Sequence, residues 1–242
     1  MKPLVSIIIP TLNEEKILEK TLRSLRELHS IPYEIIVSDG RSTDRTIEIA
    51  KKYADKVVVY EGTIRQTIAN GRNLGGNAAR SEYLLFLDAD MYIPDINTFF
   101  EKALDDFRTR KLVALTAYLK VFPEMANIPD KFLYWFFNRM FYILDNVFHY
   151  GVSYGEFQMV RGDIYKKLGG YNERLAVAED HEFFKRVSRE GRVYIDPRLV
   201  VFHTSRRAHK VGWPKLLWSW WVNQASVMTR GKSVYSEWKE IR

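Results

Sequence analysis

The first ninety residues alternate between short apolar runs and longer stretches in which apolar positions recur every three or four residues. "LVSIII" (4–9) is a continuous apolar run that stops at Pro10, the pattern of a strand buried on both faces. Glu14 to Leu28 places Ile17, Leu18, Leu22, Leu25 and Leu28 at helical spacing. "YEIIVS" (33–38) predicts a second strand, and Thr43 to Tyr53 a second helix capped by Ser42 or Thr43. "KVVVY" (56–60) predicts a third strand, Thr67 to Ala79 a third helix, and "EYLLFL" (82–87) a fourth strand that runs into Asp88. Strands separated by helices of this length predict right-handed βαβ units and a parallel sheet.

The pattern loosens after residue 90. "LVALTAYLKV" (112–121) reads as a long strand, 130–150 as an aromatic-rich helix, and "EFQMVR" (156–161) as a strand. Val177 to Arg189 reads as a helix and "LVVFH" (199–203) as a last strand. The expected division is a regular α/β half over 1–90, a less regular half over 91–210 in the same domain, and a C-terminal extension over 211–242.

Composition narrows the chemistry. The 242 residues contain no cysteine, which excludes disulfide scaffolds, thiolate metal sites and cysteine nucleophiles. The net charge of +7 suggests anionic partners, but it is unevenly placed. From His203 onward there are eight basic and two acidic residues, a local +6 that leaves +1 for the rest. Five of the six tryptophans (Trp213, Trp218, Trp220, Trp221 and Trp238) share that tail. A near-neutral body argues against nucleic acid. Neither a signal-peptide pattern at Met1 nor an apolar run of membrane-spanning length is apparent.

Ligands of open α/β sheets bind beyond the carboxyl ends of the strands. The residues there are Pro10, Thr11, Asn13, Glu14 and Glu15 after the first strand, Asp39 to Asp44 after the second, and Asp88-Ala89-Asp90 after the fourth. Acidic groups gathered at one edge need a cation or hydrogen-bond donors to offset them. Two carboxylates bracketing a small residue can hold a divalent metal against a diphosphate, although aspartate is also an ordinary turn residue. Other chemistries lack their spacing. No G-x-G-x-x-G follows a strand, Gly231-Lys232-Ser233 has Ser226 where a P-loop needs its first glycine, and Lys185 replaces the second histidine of a zincin after His181-Glu182.

Together, "SIIIPTLNEE" (6–15), "DGRSTDRT" (39–46), "GRNLGGNAARSEYLLFLDAD" (71–90), "GGYNERLAVAEDHEFFKR" (169–186) and His203 resemble family 2 glycosyltransferases, including those that act on polyprenyl phosphates and lipid-linked sugars. The resemblance implies an α/β GT-A fold, with a mixed, mostly parallel central sheet flanked by helices, 1–90 being its nucleotide-binding half and 91–210 its acceptor-binding half. It implies that Pro10, Thr11, Asn13, Glu14, Asp39, Arg72, Asp88, Ala89 and Asp90 bind a UDP- or GDP-sugar donor. Asp88, Asp90 and His203 would hold Mg²⁺ or Mn²⁺, and Asp180 would be the catalytic base. Glu179, Arg206 and Arg207 would meet the acceptor or a phosphate. Two positions depart from the pattern: Arg41, where a small residue is usual, and Tyr92, where some polyprenol-phosphate mannosyltransferases carry glutamine.

Phe132 to Phe148 has 13 apolar residues in 17, with polar Lys131, Asn138, Arg139, Asp145 and Asn146 recurring at about seven. This predicts a helix with a narrow polar stripe and a broad apolar face. Three roles fit that face: a core helix, a homo-oligomer interface, or an interfacial helix shaping a lipid-acceptor groove. In the tail, Trp213, Leu216, Leu217, Trp220, Trp221, Val227 and Met228 recur at helical spacing, with Lys215, Asn223 and Arg230 off the stripe. Tryptophan beside basic residues suits an anionic bilayer surface. The expectation is an inverting transferase with a lipid-phosphate or saccharide acceptor, peripheral on the cytoplasmic face of the cell membrane. A soluble transferase acting on a saccharide or metabolite, and a non-catalytic nucleotide-sugar-binding protein, stay open as alternatives.

Overall fold

The computed structural model describes residues 2–63 and 65–235. Glu237, Trp238, Lys239, Glu240 and Arg242, part of the basic tail noted above, lie outside the described residues. Among the described residues, seven strands form one sheet: β1 (Val5–Thr11), β2 (Tyr33–Asp39), β3 (Lys56–Val59), β4 (Tyr83–Leu87), β5 (Leu112–Val121), β6 (Phe157–Arg161) and β7 (Arg192–His203). Their order is β3-β2-β1-β4-β6-β5-β7. β1 to β4 are mutually parallel, β5 is parallel to β7, and β6 runs antiparallel to both its neighbours.

The helices cover both faces, which explains the continuous apolar runs. Val5, Ile7 and Ile9 of β1 face one core with α1 (Leu18–Leu25), α2 (Thr46–Tyr53) and α4 (Ile96–Arg110). Ile8 faces the other core, with α3 (Ile68–Ala78), α6 (Gly162–Leu168) and α7 (Glu179–Val187). α3 packs unusually close: a Cβ on Gly75 would stand 2.3 Å from the Ile8 side chain, so only glycine allows that approach.

Several boundaries differ from the sequence expectation. β1 continues through Pro10 to Thr11, because its pairing to β4 ends at Ile8 while pairing to β2 runs on to Thr11. α2 starts at Thr46 without Ser42 or Thr43 as its cap; the Asp44 carboxylate accepts from the Thr46 amide instead. α4 was not expected, although Phe99, Phe100, Ala103 and Phe107 carry helical spacing. β7 begins at Arg192, well before residue 199, and its register against β5 shifts between Ala117 and Tyr118, beside Pro197.

The aromatic helix is α5 (Ile128–Asn146), and its polar stripe does not stay on one side. Asp130, Asn138 and Asp145 point inward and are buried, whereas Lys131 and Arg139 are exposed. Asn138 exchanges hydrogen bonds with the Leu119 amide and carbonyl at the open edge of β5. Much of the apolar face is therefore left outward: Ile128, Phe132, Trp135, Phe136, Ile143 and Val147 are all exposed. α8 (Arg206–Val211) leads into α9 (Trp213–Arg230), which packs Trp213, Leu216 and Trp220 toward α5 and leaves Trp218, Trp221 and Met228 exposed. No helix among the described residues is long and apolar enough to cross a membrane.

Candidate active site

The carboxyl ends of β1, β2, β4 and β7 meet at one edge of the sheet, as parallel strands require. Beyond that edge lies a cavity of about 970 Å³. Pro10, Thr11, Glu14, Arg72, Asp88, Ala89, Asp90, Glu179, Asp180, His203, Arg206 and Arg207 all line it. Of the residues singled out in the sequence, Asn13 and Asp39 do not.

Asp39 instead holds a wall residue, Thr11, and Asn13 ties the loop after β1 to the loop after β2. Asp39 is fully buried and accepts from Thr11 Oγ1 (2.8 Å), the Ser42 amide (2.7 Å) and Ser42 Oγ (2.6 Å). Asn13 has φ 55°, a left-handed conformation that asparagine tolerates, and its Oδ1 accepts from the Thr43 amide at 2.8 Å. Arg41 has φ 69°, in the region that favours glycine, which accounts for its being an unusual occupant of that turn.

Asp88 to Asp90 are fixed from three sides. Thr21 of α1 donates to the Ala89 carbonyl at 2.7 Å. Tyr92 and Phe202 exchange amide-to-carbonyl bonds of 2.8 and 2.9 Å, which ties the loop after β4 to the end of β7. That bridge brings Asp90 beside the 203–206 segment: Thr204 Oγ1 donates to Asp90, and Arg206 Nε stands 3.5 Å from the same carboxylate oxygen. The Arg206 guanidinium also grips Glu14 with two 2.8 Å bonds, closing a contact across 192 positions of sequence. Burial pushes the Asp88 pKa up to about 6, against the opposing pull of Arg72 at 3.7 Å.

Arg72 is a buried brace. It pairs with Glu179 at 2.7 Å, donates to the Gly155 carbonyl at 2.7 Å and lies over the Tyr171 ring. Glu179, itself buried, takes its cation there, and burial next to Asp180 raises its pKa despite Arg72. Asp180 remains half-buried, its Oδ1 accepting from the His181 amide at 2.8 Å. Its Oδ2 lies so near Gly155 that a Cβ there would stand 2.7 Å away.

His203 is buried, with its ring edge against Tyr134. Its Nδ1 accepts weakly from the Ser205 amide at 3.3 Å, and its Nε2 is buried without a hydrogen-bond partner. Burial pushes its pKa down to about 4, so the ring is neutral at physiological pH. Among the described residues, no three His, Asp or Glu side chains are grouped as a closed metal cage.

Glu156 and Gln66 are among the cavity residues that the sequence did not single out. Glu156 immediately precedes β6, and its carbonyl accepts from the Asp88 amide at 3.2 Å. Burial, reinforced by Asp88, Asp180 and Asp90, pushes its carboxyl up to about 8. Gln66 also lines the cavity, with a buried, unpartnered Nε2. Away from the charges, the cavity continues as an apolar trough between α5 and α9, along Phe137, Met140, Phe141, Leu144, Leu217 and Trp220.

Residues 6–169 match the family model described as glycosyl transferase family 2. The poly(ribitol-phosphate) beta-N-acetylglucosaminyltransferase TarS of Staphylococcus aureus is 25% identical over 219 residues, covering 79% of this chain and 38% of that protein. Validoxylamine A glucosyltransferase of Streptomyces hygroscopicus is 35% identical over 91 residues, covering 36% of this chain and 20% of that one. The chain thus spans well under half the length of these two relatives. Residues 1–349 of S. aureus TarS in complex with UDP-GlcNAc superpose with a TM-score of 0.67 at 25% identity, covering 85% of this chain and 59% of that one. The mannosyltransferase PcManGT of Pyrobaculum calidifontis, in complex with GDP-Man and Mn²⁺, shares the fold at a TM-score of 0.72 and 21% identity, over 96% of this chain and 66% of that one. A family match over most of the chain, on a sheet whose acidic edge opens into one cavity, leads to one assignment: this protein belongs to glycosyl transferase family 2 and has the GT-A fold.

Proposed function

We propose that this protein transfers a sugar, with inversion, from a UDP- or GDP-sugar to a lipid phosphate or lipid-linked saccharide at a membrane surface. One observation carries the reading. A single cavity joins the Asp88–Asp90 edge to Asp180 and runs on into a trough between α5 and α9 whose apolar lining suits a hydrocarbon chain.

The chemistry needs charge neutralisation at the departing diphosphate and a proton acceptor on the far side of the anomeric carbon. Arg206 and Arg207 line the diphosphate side, and Arg206 is held there by Glu14 and Asp90 until a phosphate competes for it. Asp180, the proposed proton acceptor, lines the same cavity with one carboxylate oxygen turned to Gly155. The acceptor oxygen attacks the anomeric carbon, the bond to the diphosphate oxygen breaks, and Asp180 takes the hydroxyl proton. A phosphate acceptor arrives ionised, and Asp180 then orients it.

The residues present fit a divalent cation. The His203 Nε2 is a buried polar atom without a partner, on a ring that burial keeps neutral, and Asp90 is the nearby carboxylate. Asp90 and His203, with Asp88 beside them, would hold Mg²⁺ or Mn²⁺, and the diphosphate would complete the shell. Binding through Nε2 asks the ring to carry its proton on Nδ1, giving up the weak bond from the Ser205 amide. The cation, when bound, offsets negative charge on the leaving diphosphate.

The outward faces of α5 and α9 support peripheral attachment to the cytoplasmic face of the cell membrane. Phe132, Trp135, Trp218 and Trp221 are exposed together with Lys131, Arg139, Lys210 and Lys215, an apolar surface edged by cations that matches an anionic bilayer.

The test is a thermal-shift screen of UDP-, GDP- and dTDP-sugars with Mg²⁺ or Mn²⁺, followed by assay of the selected donor with polyprenyl phosphate in vesicles or with soluble saccharides. Saturating donor at a hundred times its Kd should add about 2.7 kcal/mol. That gain should vanish in Asp90→Ala. Stabilisation by no donor would overturn the reading, and turnover with soluble saccharides alone would remove its lipid part.

A further inference from the structure

β6 is the one strand that runs antiparallel to the rest at the centre of the sheet. Its amino end, not its carboxyl end, therefore lies at the ligand-binding edge. The pairing of Leu87 with Phe157 sets Glu156 directly beside Asp88. Glu156 lines the cavity with Asp88, Asp90 and Asp180.

Each other acidic group at the diphosphate side has a cation. Asp88 faces Arg72, while Glu14 and Asp90 share Arg206. Among the described residues, no cationic side chain pairs with Glu156. A half-buried carboxyl among three others and without a counter-ion is costly unless a ligand supplies hydrogen bonds to it. Position decides which ligand. In the transfer reaction the donor sugar lies between its diphosphate, on the Asp88–Asp90 side, and the acceptor, on the Asp180 side. Glu156 stands beside Asp88 on one hand and follows Gly155, which abuts Asp180, on the other, so it lies between the two sides. Carboxyl groups bind sugar hydroxyls well, since they accept from two hydroxyls when ionised and also donate when protonated.

We propose that Glu156 binds the donor sugar through its hydroxyl groups and so selects which sugar is transferred. This inference rests on the sugar-transfer reading above, but it can fail alone.

The test compares wild type, Glu156→Ala and Glu156→Gln by calorimetry against UDP, GDP, UDP-GlcNAc, UDP-glucose and GDP-mannose with Mn²⁺. The best donor is then tested in its 2-, 3-, 4- and 6-deoxy forms. Glu156→Ala should bind the bare nucleoside diphosphate within about twofold of wild type and the sugar nucleotide about 10- to 100-fold more weakly, the range for a hydrogen bond to a charged group. Glu156→Gln, which keeps the shape and one acceptor, should lose less and also guards against misfolding of the alanine variant. One deoxy donor should bind wild type more weakly and show no further loss in Glu156→Ala, because the same interaction is then missing from both sides. Equal weakening of UDP and its sugar conjugate would place Glu156 on the diphosphate and overturn the proposal. So would unchanged donor binding with lost turnover, or losses that add for every deoxy position. If wild type itself bound no sugar nucleotide more tightly than the diphosphate, the parent reading would fall and this one with it.

Discussion

Replacing Asp145 with asparagine should stabilise the protein, and increasingly so as pH rises. Asp145 lies at the carboxyl end of α5 with no exposed surface. Its Oδ1 accepts from the Gly151 and Val152 amides at 3.0 and 2.8 Å, while its Oδ2 is buried without a partner. Burial outweighs the two amide bonds and pushes the pKa up to about 7. In the unfolded chain an aspartate titrates near 3.9, so the folded state binds the proton more tightly. Stability from this group is present below about pH 4 and is lost as pH rises through about 7. About three pH units separate the two states, at about 1.4 kcal/mol each. The loss comes to about 1.5 kcal/mol at pH 5 and about 4 kcal/mol at pH 8. Asparagine keeps the Oδ1 acceptor and never ionises. The advantage of Asp145→Asn should therefore widen by about 2.5 kcal/mol between pH 5 and pH 8, or about 5–10 °C in Tm for a chain of this size. Urea and thermal unfolding of both proteins at the two pH values measure it. A gap that stays constant, or wild type gaining on the variant with pH, would refute the buried-carboxyl argument. The loop that Asp145 anchors supplies Val152, Ser153 and Tyr154 to the cavity wall, so the same change reports on how the site is held.

Asp180→Asn should lower kcat by about 10²–10⁴ with a hydroxyl acceptor while leaving donor affinity intact, as read by turnover against calorimetry. An unchanged kcat would show that Asp180 is not the base. Asp130→Ala should cost on the order of 3 kcal/mol in urea unfolding, because it strands both His209 Nε2 (2.6 Å) and Trp213 Nε1 (2.7 Å) and frees α8 and α9 from α5. Phe132→Ser combined with Trp135→Ser and Trp218→Ser should cut co-sedimentation with anionic vesicles without lowering Tm, since all three side chains are exposed. Full retention of vesicle binding would point that face toward another partner.

Much of residues 1–90 was legible because the signals there are local. A strand covered on both faces is apolar at nearly every position, and "LVSIII" and "EYLLFL" are, with Ser6 and Glu82 as the two exceptions. A chain leaving such a strand toward solvent turns polar at once, which marks Thr11, Asp39, Asp88 and Asp90 as edge residues. The periodicity of α5 was equally plain, but periodicity alone does not say which side of a helix faces in. Asn138 turns inward because the open edge of β5 offers it an amide and a carbonyl, and nothing near residue 138 in the sequence announces that.

By itself, then, the sequence determined the alternation of strands and helices, the two-sided core and the acidic edge at the ends of β1, β2 and β4, since these follow from local apolar and polar patterning. The tertiary structure alone decided the rest. Arg72 meets Glu179 across 107 positions, Arg206 meets Glu14 across 192, and the Tyr92–Phe202 bridge carries His203 to Asp90. Reversal of β6 put Glu156 on the ligand edge from the amino end of its strand, where a search of carboxyl ends does not look. Strand direction and long-range ion pairs are set by how the sheet closes, and only the closed sheet determines which charges share a cavity.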